Sequence, residues 1–531
     1  MLVIHNAKIY TLDSAREFGS ALVIDNGRIL AVGTDDEILN AFSTSNSFNA
    51  CGYTIIPGLI DAHIHLENYA LSMQKVDCET QSIGECLKRV SACVTSISPG
   101  EWVLGHGWNQ NNWPDGYGCA THLDNIAPRN PVYLTHKSLH CAWANSIALH
   151  LAGIDRITPD PSGGRIGRLQ NGDPDGILFE SAMNLVENTI PGLNLDQVVK
   201  ALRSTQPILW KMGLTGVHDF DLSRCFSALQ VMHQSKELKL RVVKSIPLEN
   251  LPNAIAMGLR TGFGNDMLRI GSVKLFADGA LGPHTAAMIQ PYEDDPQNNG
   301  ILMLDAEELF EYGQMAIQNG ISMAVHAIGD RANHEVLNAY AQLREFEKTI
   351  QSSSKTQLRH RIEHVQILHP DDVRRLSLLN ILASMQPIHA TSDMEMADQF
   401  WGKRSVNAYA WREQITNGAD LIFGSDAPVE SPNPFLGIHA AVTRCRADGF
   451  PSPQGWYPEQ RLTINEAIHA YSTGPAFAAG MEDKVGRLTP GFLADLIILN
   501  DDPYHCSPND LLNIHPIATM VGGEWVFTEM H

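Results

Sequence analysis

Apolar runs of four to seven residues punctuate the middle of this chain. Eight of them read as strands buried on both faces: 59–64, 215–219, 241–247, 272–277, 322–327, 360–364, 382–386 and 421–425. A strand covered on both sides is near-continuously apolar rather than alternating. Between most of these runs the period lengthens to that of a helix. Asp371 and Asp372 place acid at a helix start ahead of Val373, Leu376 and Leu379. Thr463 and Glu466 make a capping-box pattern ahead of Ala467, Ile468 and Tyr471. Strands alternating with helices predict an α/β fold with a parallel sheet, and eight of them predict a (β/α)8, or TIM, barrel over residues 57–479.

The ends read differently. Residues 1–56 hold short β-branched runs, with Asp25-Asn26-Gly27 as a hairpin turn between 21–24 and 28–32. The C-terminal end repeats the theme, with a run at 494–499 and another from Ala518 to Phe527. Neither set can cover both its faces alone. One composite β-sandwich built from 1–56 and 480–531 is the expectation; two independent β appendages are the alternative. The interval between His65 and Thr215 is several times the length of one strand–helix step. It predicts an insertion over about 68–205, containing a strand-like Pro131–Thr135 and a hairpin near 163–177. An insertion after the first strand leaves from the face where barrel active sites lie, so it is expected to cover the site as a lid or wall.

Chemistry concentrates at the strand ends. The run Pro57-Gly58-Leu59-Ile60-Asp61-Ala62-His63-Ile64-His65 alternates, so His63 and His65 project to one side. Two imidazoles on one face suit a divalent metal, although a chain with 22 histidines can also space two of them this way by chance. Later strands end in Lys274, His326, His364 and Asp426. Taken singly, each has a structural explanation: a hydrogen-bonded core histidine, a turn aspartate, a lysine paired with Asp278. Their alignment at five strand ends on one face favours a shared centre.

Composition narrows the partners. The chain has 531 residues, 38 Lys and Arg against 59 Asp and Glu, and a formal charge of −21. No basic surface is available for nucleic acid or an anionic membrane. The nine cysteines form no C-x-x-C pair, and a reducing, cytoplasmic setting is expected. Neither a signal-peptide pattern nor a bilayer-length apolar run is present. No G-x-S-x-G elbow points to a serine nucleophile.

The order H-x-H, strand-four lysine, single histidines on strands five and six and strand-eight aspartate resembles the amidohydrolase superfamily. The resemblance spans nearly the whole chain. It includes the 57–65 run, V-K-L-F-A-D-G-A-L-G at 273–282, H-A-I-G-D-R at 326–331, R-I-E-H-V-Q at 361–366, G-S-D-A-P at 424–428 and L-T-P-G-F-L-A-D-L-I-I-L at 488–499. G-H-G-W at 105–108 and L-H-C-A-W-A-N-S at 139–146 are similar to the branch of N-substituted formamide deformylases. The resemblance implies a metal-dependent hydrolase of non-peptide C–N bonds. It implies that His63, His65 and Asp426 hold one ion, that His326 and His364 hold a second, and that Lys274 bridges them as a CO2-derived carbamate. Nitrogen and oxygen donors without thiolates suit zinc, with manganese, iron or nickel as alternatives, as one or two ions. Asp426 is the expected general base. Trp108, His140 and His284 are the expected substrate contacts, and a homodimer is compatible. Hydrolysis of an ester or a cyclic amide, and an inactive relative acting as a binding protein, are the alternative functions.

Overall fold

The computed structural model describes residues 1–531 except 43, 45, 111, 112, 115, 138–140, 351–356 and 531. Its central sheet has eight parallel strands in chain order: β1 (Leu59–Ile64), β2 (Leu214–Asp219), β3 (Arg241–Pro247), β4 (Leu268–Phe276), β5 (Met323–Ala327), β6 (Arg361–His364), β7 (Leu382–Met385) and β8 (Leu421–Phe423). Each falls where an apolar run predicts it. The sheet curls until its ends meet just beyond β8. There Ile64 bridges Ala427 in parallel, Asp426 N donates to His63 O at 2.7 Å, and His65 N donates to Ala427 O at 2.9 Å. The approach is tight: a Cβ on Gly424 would lie 2.4 Å from His63 N, so no side chain fits there.

The sequence before the barrel enters two sheets. One has four strands, in the order Arg28–Gly33, Ala21–Asp25, Leu2–His5, Ser47–Asn49. The Asn26-Gly27 turn joins the first two, with φ of 49° and 76° at its central residues. The other sheet has six strands, in the order Glu524–Thr528, Pro516–Val521, Leu496–Leu499, Thr54–Pro57, Lys8–Tyr10, Phe18–Gly19. Strands from both chain ends therefore share one sheet, with Ile55 opposite Ile498, and one core that includes Ile4, Leu22, Leu496 and Met520. Gly58 alone separates Thr54–Pro57 from β1, and a Cβ there would lie 2.3 Å from the Thr215 side chain. Arg241 of β3 ties barrel to sheet. Its Nη2 donates to Asp495 Oδ1 at 2.7 Å, and Gly522 N donates to the same oxygen at 2.7 Å.

The chain divides into two compact units, residues 1–69 with 202–531, and residues 70–201. The second is a six-stranded sheet of its own, in the order Gly164–Arg168, Pro174–Glu180, Cys141–Ala144, Val132–His136, Val103–Trp108, Val76–Asp77. Trp108, Trp113, Trp143, Val132 and Leu134 fill its core. Among the described residues no helix is long and apolar enough to cross a membrane.

The predicted helix after Asp371 is shorter than its spacing suggests. Pro370–Asp372 is a 3-10 turn, and only Arg375–Leu378 is α-helical. Asn380, with φ of 50°, turns the chain into β7. The capping box at Thr463 and Glu466 forms, starting the helix Ile464–Ala470.

Candidate metal centre

Four histidines, an aspartate and a lysine meet at the C-terminal ends of the barrel strands. The imidazole rings of His65 and His63 lie 5.7 Å apart, those of His63 and His364 5.0 Å, and those of His364 and His326 4.5 Å. Asp426 stands among them: its Oδ1 is 3.4 Å from both His63 Nε2 and His65 Nε2. The backbone bends to achieve this. His364 and Asp426 have φ of 78° and 60°, the left-handed region, which costs a non-glycine residue about 1–3 kcal/mol and is held by the surrounding packing.

Second partners fix the rings. His63 Nδ1 is 2.6 Å from Glu363 Oε2, His364 Nδ1 is 2.8 Å from Gln386 Oε1, and His326 Nε2 is 2.8 Å from Gly279 O. An acceptor at one ring nitrogen places the proton there and leaves a lone pair on the other. His65 Nδ1 faces Asp221 Oδ1 at 3.4 Å. Burial and then the nearby Lys274 push the His63 imidazolium down to about 4, and the same two causes push His326 down to about 3. His65 goes the other way. Burial opposes its charge, but Asp221 and Asp426 outweigh it and raise the ring to about 9. Burial also opposes ionisation of Asp426, yet its imidazole neighbours hold the carboxyl well below the usual range.

Lys274 lies in the same interior, 5% exposed. Its Nζ sits over the faces of Phe220 and Phe276, 4.7 and 5.0 Å from their centroids. The pairing with Asp278 does not form. Asp278 instead accepts backbone N–H bonds from Ala287, Ile328 and Gly329 at 2.8–3.0 Å. Among the described residues no carboxylate lies at ion-pair distance from Lys274. Burial lowers its ammonium to about 8, with Glu363 and Asp426 drawing it back up.

This donor set fits a divalent cation. Two ligands of a tetrahedral zinc-type ion, each about 2.0–2.1 Å from it, stand about 3.4 Å apart, which is the spacing of Asp426 Oδ1 from His63 Nε2 and from His65 Nε2. His63, His65 and Asp426 form one group of potential ligands, and His364, His389 and Asp426 form another.

The expected substrate contacts are Trp108, His284 and His140. Trp108 is completely buried in the core of the 70–201 unit, its Nε1 donating to Leu134 O at 2.8 Å. Its indole N–H is thus satisfied inside that core. His284 turns to Asp294, 3.2 Å from each carboxylate oxygen, and packs on Phe400 and Tyr292. His140 lies outside the described residues.

Other residues at the centre carry weaker sequence signals. Glu363 precedes His364, and strict alternation would send the two to opposite faces; the left-handed backbone at His364 breaks the alternation. Asp61 receives N–H bonds from His63 and Ser425 at 3.0 and 3.1 Å, which locks β1 to the chain beyond β8. Gln386 caps, and His389 lies in the first turn of, the helix Pro387–Trp401 that follows β7. A proline directly after a strand signals a helix starting at the active face, and that signal points to both.

Comparisons with known proteins agree with this architecture. The model of the Amidohydrolase family matches residues 47–527. The chain is 33% identical over 551 residues to Protein LONG AFTER FAR-RED 3 of Arabidopsis thaliana, covering 99% of this chain and 91% of that one. It is 29% identical over 547 residues to the N-substituted formamide deformylase of Arthrobacter pascens, covering 98% and 97%. A crystal structure of an uncharacterized metal-dependent hydrolase from Pyrococcus furiosus superposes with a TM-score of 0.77 at 28% identity, covering 95% of this chain and 99% of that one. The chain belongs to the amidohydrolase family of metal-dependent hydrolases.

Proposed function

We propose that the protein hydrolyses a non-peptide C–N bond, an N-acyl or N-formyl amide of a small molecule, with zinc held by His63, His65 and Asp426. The observation that carries this reading is the single aspartate oxygen equidistant from two histidine nitrogens. A similarity spanning nearly the whole of an N-substituted formamide deformylase supports the choice of bond. The bound ion would supply an acidified water and polarisation of the scissile carbonyl.

The chain's own residues supply the rest. Glu363, Gln386 and the Gly279 carbonyl orient the histidine rings. Asp426 takes the proton of the attacking water and delivers it to the departing amine. The products are a carboxylate and an amine, with no covalent enzyme intermediate. Lys274 is a buried ammonium without a carboxylate partner among the described residues, and a charge in that position is costly. Its neutral amine would add to CO2, releasing one proton, to give a carbamate that would supply oxygen donors. His326 and His364 would hold a second ion. The substrate is a small molecule, and a net charge of −21 disfavours nucleic acid and anionic lipid.

The test is a screen of N-formyl and N-acyl amines with the protein loaded in zinc and bicarbonate, read as amine release. Turnover of at least one such compound, dependent on metal, is expected. Metal-loaded protein that cleaves only esters or cyclic amides would overturn the choice of bond. Protein that takes up no metal would overturn the reading as a whole.

A further inference from the structure

One histidine at the centre has no assigned task. His389 sits in the first turn of the helix Pro387–Trp401, directly after β7, and is 7% exposed. Its Nε2 is buried without a hydrogen-bond partner. That atom lies 3.9 Å from Asp426 Oδ2, on the carboxylate oxygen opposite the one that faces His63 and His65. Its ring runs nearly parallel to that of His364, at 11° and 6.1 Å.

A buried nitrogen left unpaired costs about 1–3 kcal/mol, so an unpaired one beside the general base calls for a ligand. Two ligands are conceivable, a second cation or the substrate. The tautomers separate them. His63, His364 and His326 each have one nitrogen engaged by an oxygen acceptor, which frees the other as a metal donor. Among the described residues His389 has no such partner on either nitrogen, so nothing fixes it as a metal donor. Its neighbour Gln386 adds to the argument. Gln386 Oε1 is committed to His364, and its Nε2 is a buried, unpartnered donor from the same turn. Two idle donors beside the base match an acceptor oxygen rather than a cation. At 3.9 Å, His389 makes no hydrogen bond to Asp426 and is close enough to touch a group undergoing attack there.

We propose that His389 contacts the substrate, donating from Nε2 to the oxygen of the scissile carbonyl and so stabilising the charge that develops on it. This rests on the hydrolase reading above and adds a catalytic residue outside the ligand set.

His389→Ala and His389→Asn decide it, each compared with wild type for metal per chain, thermal unfolding, kcat, KM and inhibition by a phosphonate analogue of the acyl group. Both variants are expected to keep wild-type metal content. In the alanine variant kcat falls about 100–1000-fold with KM little changed, as for loss of one oxyanion donor. Its affinity for the phosphonate falls by the same factor as kcat/KM, because that analogue carries the transition-state charge. The asparagine variant, which keeps an N–H donor, recovers part of the loss. Loss of metal in the alanine variant would make His389 a ligand and overturn the proposal. So would wild-type turnover, an effect confined to KM, or asparagine no better than alanine. Wild-type protein that cleaves no N-acyl compound would instead remove the hydrolase reading, and this inference with it.

Discussion

Replacing Glu363 by Gln changes one charge and almost no volume at the most buried point of the centre. The carboxylate is fully enclosed, and its Oε2 accepts from His63 Nδ1 at 2.6 Å and from Arg361 Nη2 at 2.8 Å. Both bonds are charge-assisted in the wild type, and such bonds contribute about 1.5–3 kcal/mol each. Two consequences follow on different readouts. Through His63, the weaker acceptor lowers the basicity of Nε2, and loss of a ligand-orienting partner of this kind costs about 10–100-fold in metal affinity. Through Arg361, a buried guanidinium loses its carboxylate, and a broken buried pair costs the fold about 3–5 kcal/mol. Arg361 Nη2 keeps Ala62 O at 2.7 Å and Ser384 Oγ at 2.6 Å, which favours the lower end. Metal affinity is measured by competition with a chelating indicator, and apo-protein stability by urea unfolding. A variant that is destabilised yet binds metal within about twofold of wild type would refute the argument that Glu363 acts on the metal through His63.

Three further outcomes are expected. Asp426→Asn keeps the fold but largely abolishes turnover; near wild-type kcat would remove Asp426 as the general base. Lys274→Ala loses bound metal, and short carboxylates such as acetate restore part of it; full occupancy without any rescue would mean that the lysine carries no carbamate. Glu466 gives a pH effect away from the centre. Burial opposes its ionisation, but bidentate pairing with Arg412 and the Thr463 N–H outweigh that and hold it at about 2, below its ordinary 4.5. A depressed carboxylate stabilises the fold above its unfolded pKa, and that contribution fades as pH falls from about 4.5 toward 2. Glu466→Gln should therefore lose less melting temperature than wild type between pH 5 and pH 3, and an unchanged acid limb would contradict the assignment.

The barrel was legible because burial on both faces writes itself into composition: all eight strands lie under apolar runs. The gathering of His63, His65, Lys274, His326, His364 and Asp426 was legible for a related reason. A barrel presents only one end of each strand to a common site, so chemically active residues that recur at those ends share an address. Helix limits were less so: the segment after Asp371 carries helical spacing but yields only Arg375–Leu378. Trp108 was less legible in another way: an aromatic beside glycines carries no local signal of its burial, and only its neighbours in the 70–201 core supply it.

Glu363 and His389 mark the remaining boundary. Local pattern fixes which residues form strands, the order in which they follow one another, and which side chains reach the end of each strand. It does not fix where the backbone departs from that pattern. The left-handed turn at Asp426 lies where β1 closes against the chain beyond β8, a contact across more than three hundred residues. There Asp426 faces two histidines with one oxygen and His389 with the other, while Glu363 stands behind His63. Sequence alone thus determined the barrel and which side chains gather at its strand ends, through burial and periodicity. Tertiary closure decided which partner orients each of them, because that depends on distances no local period encodes.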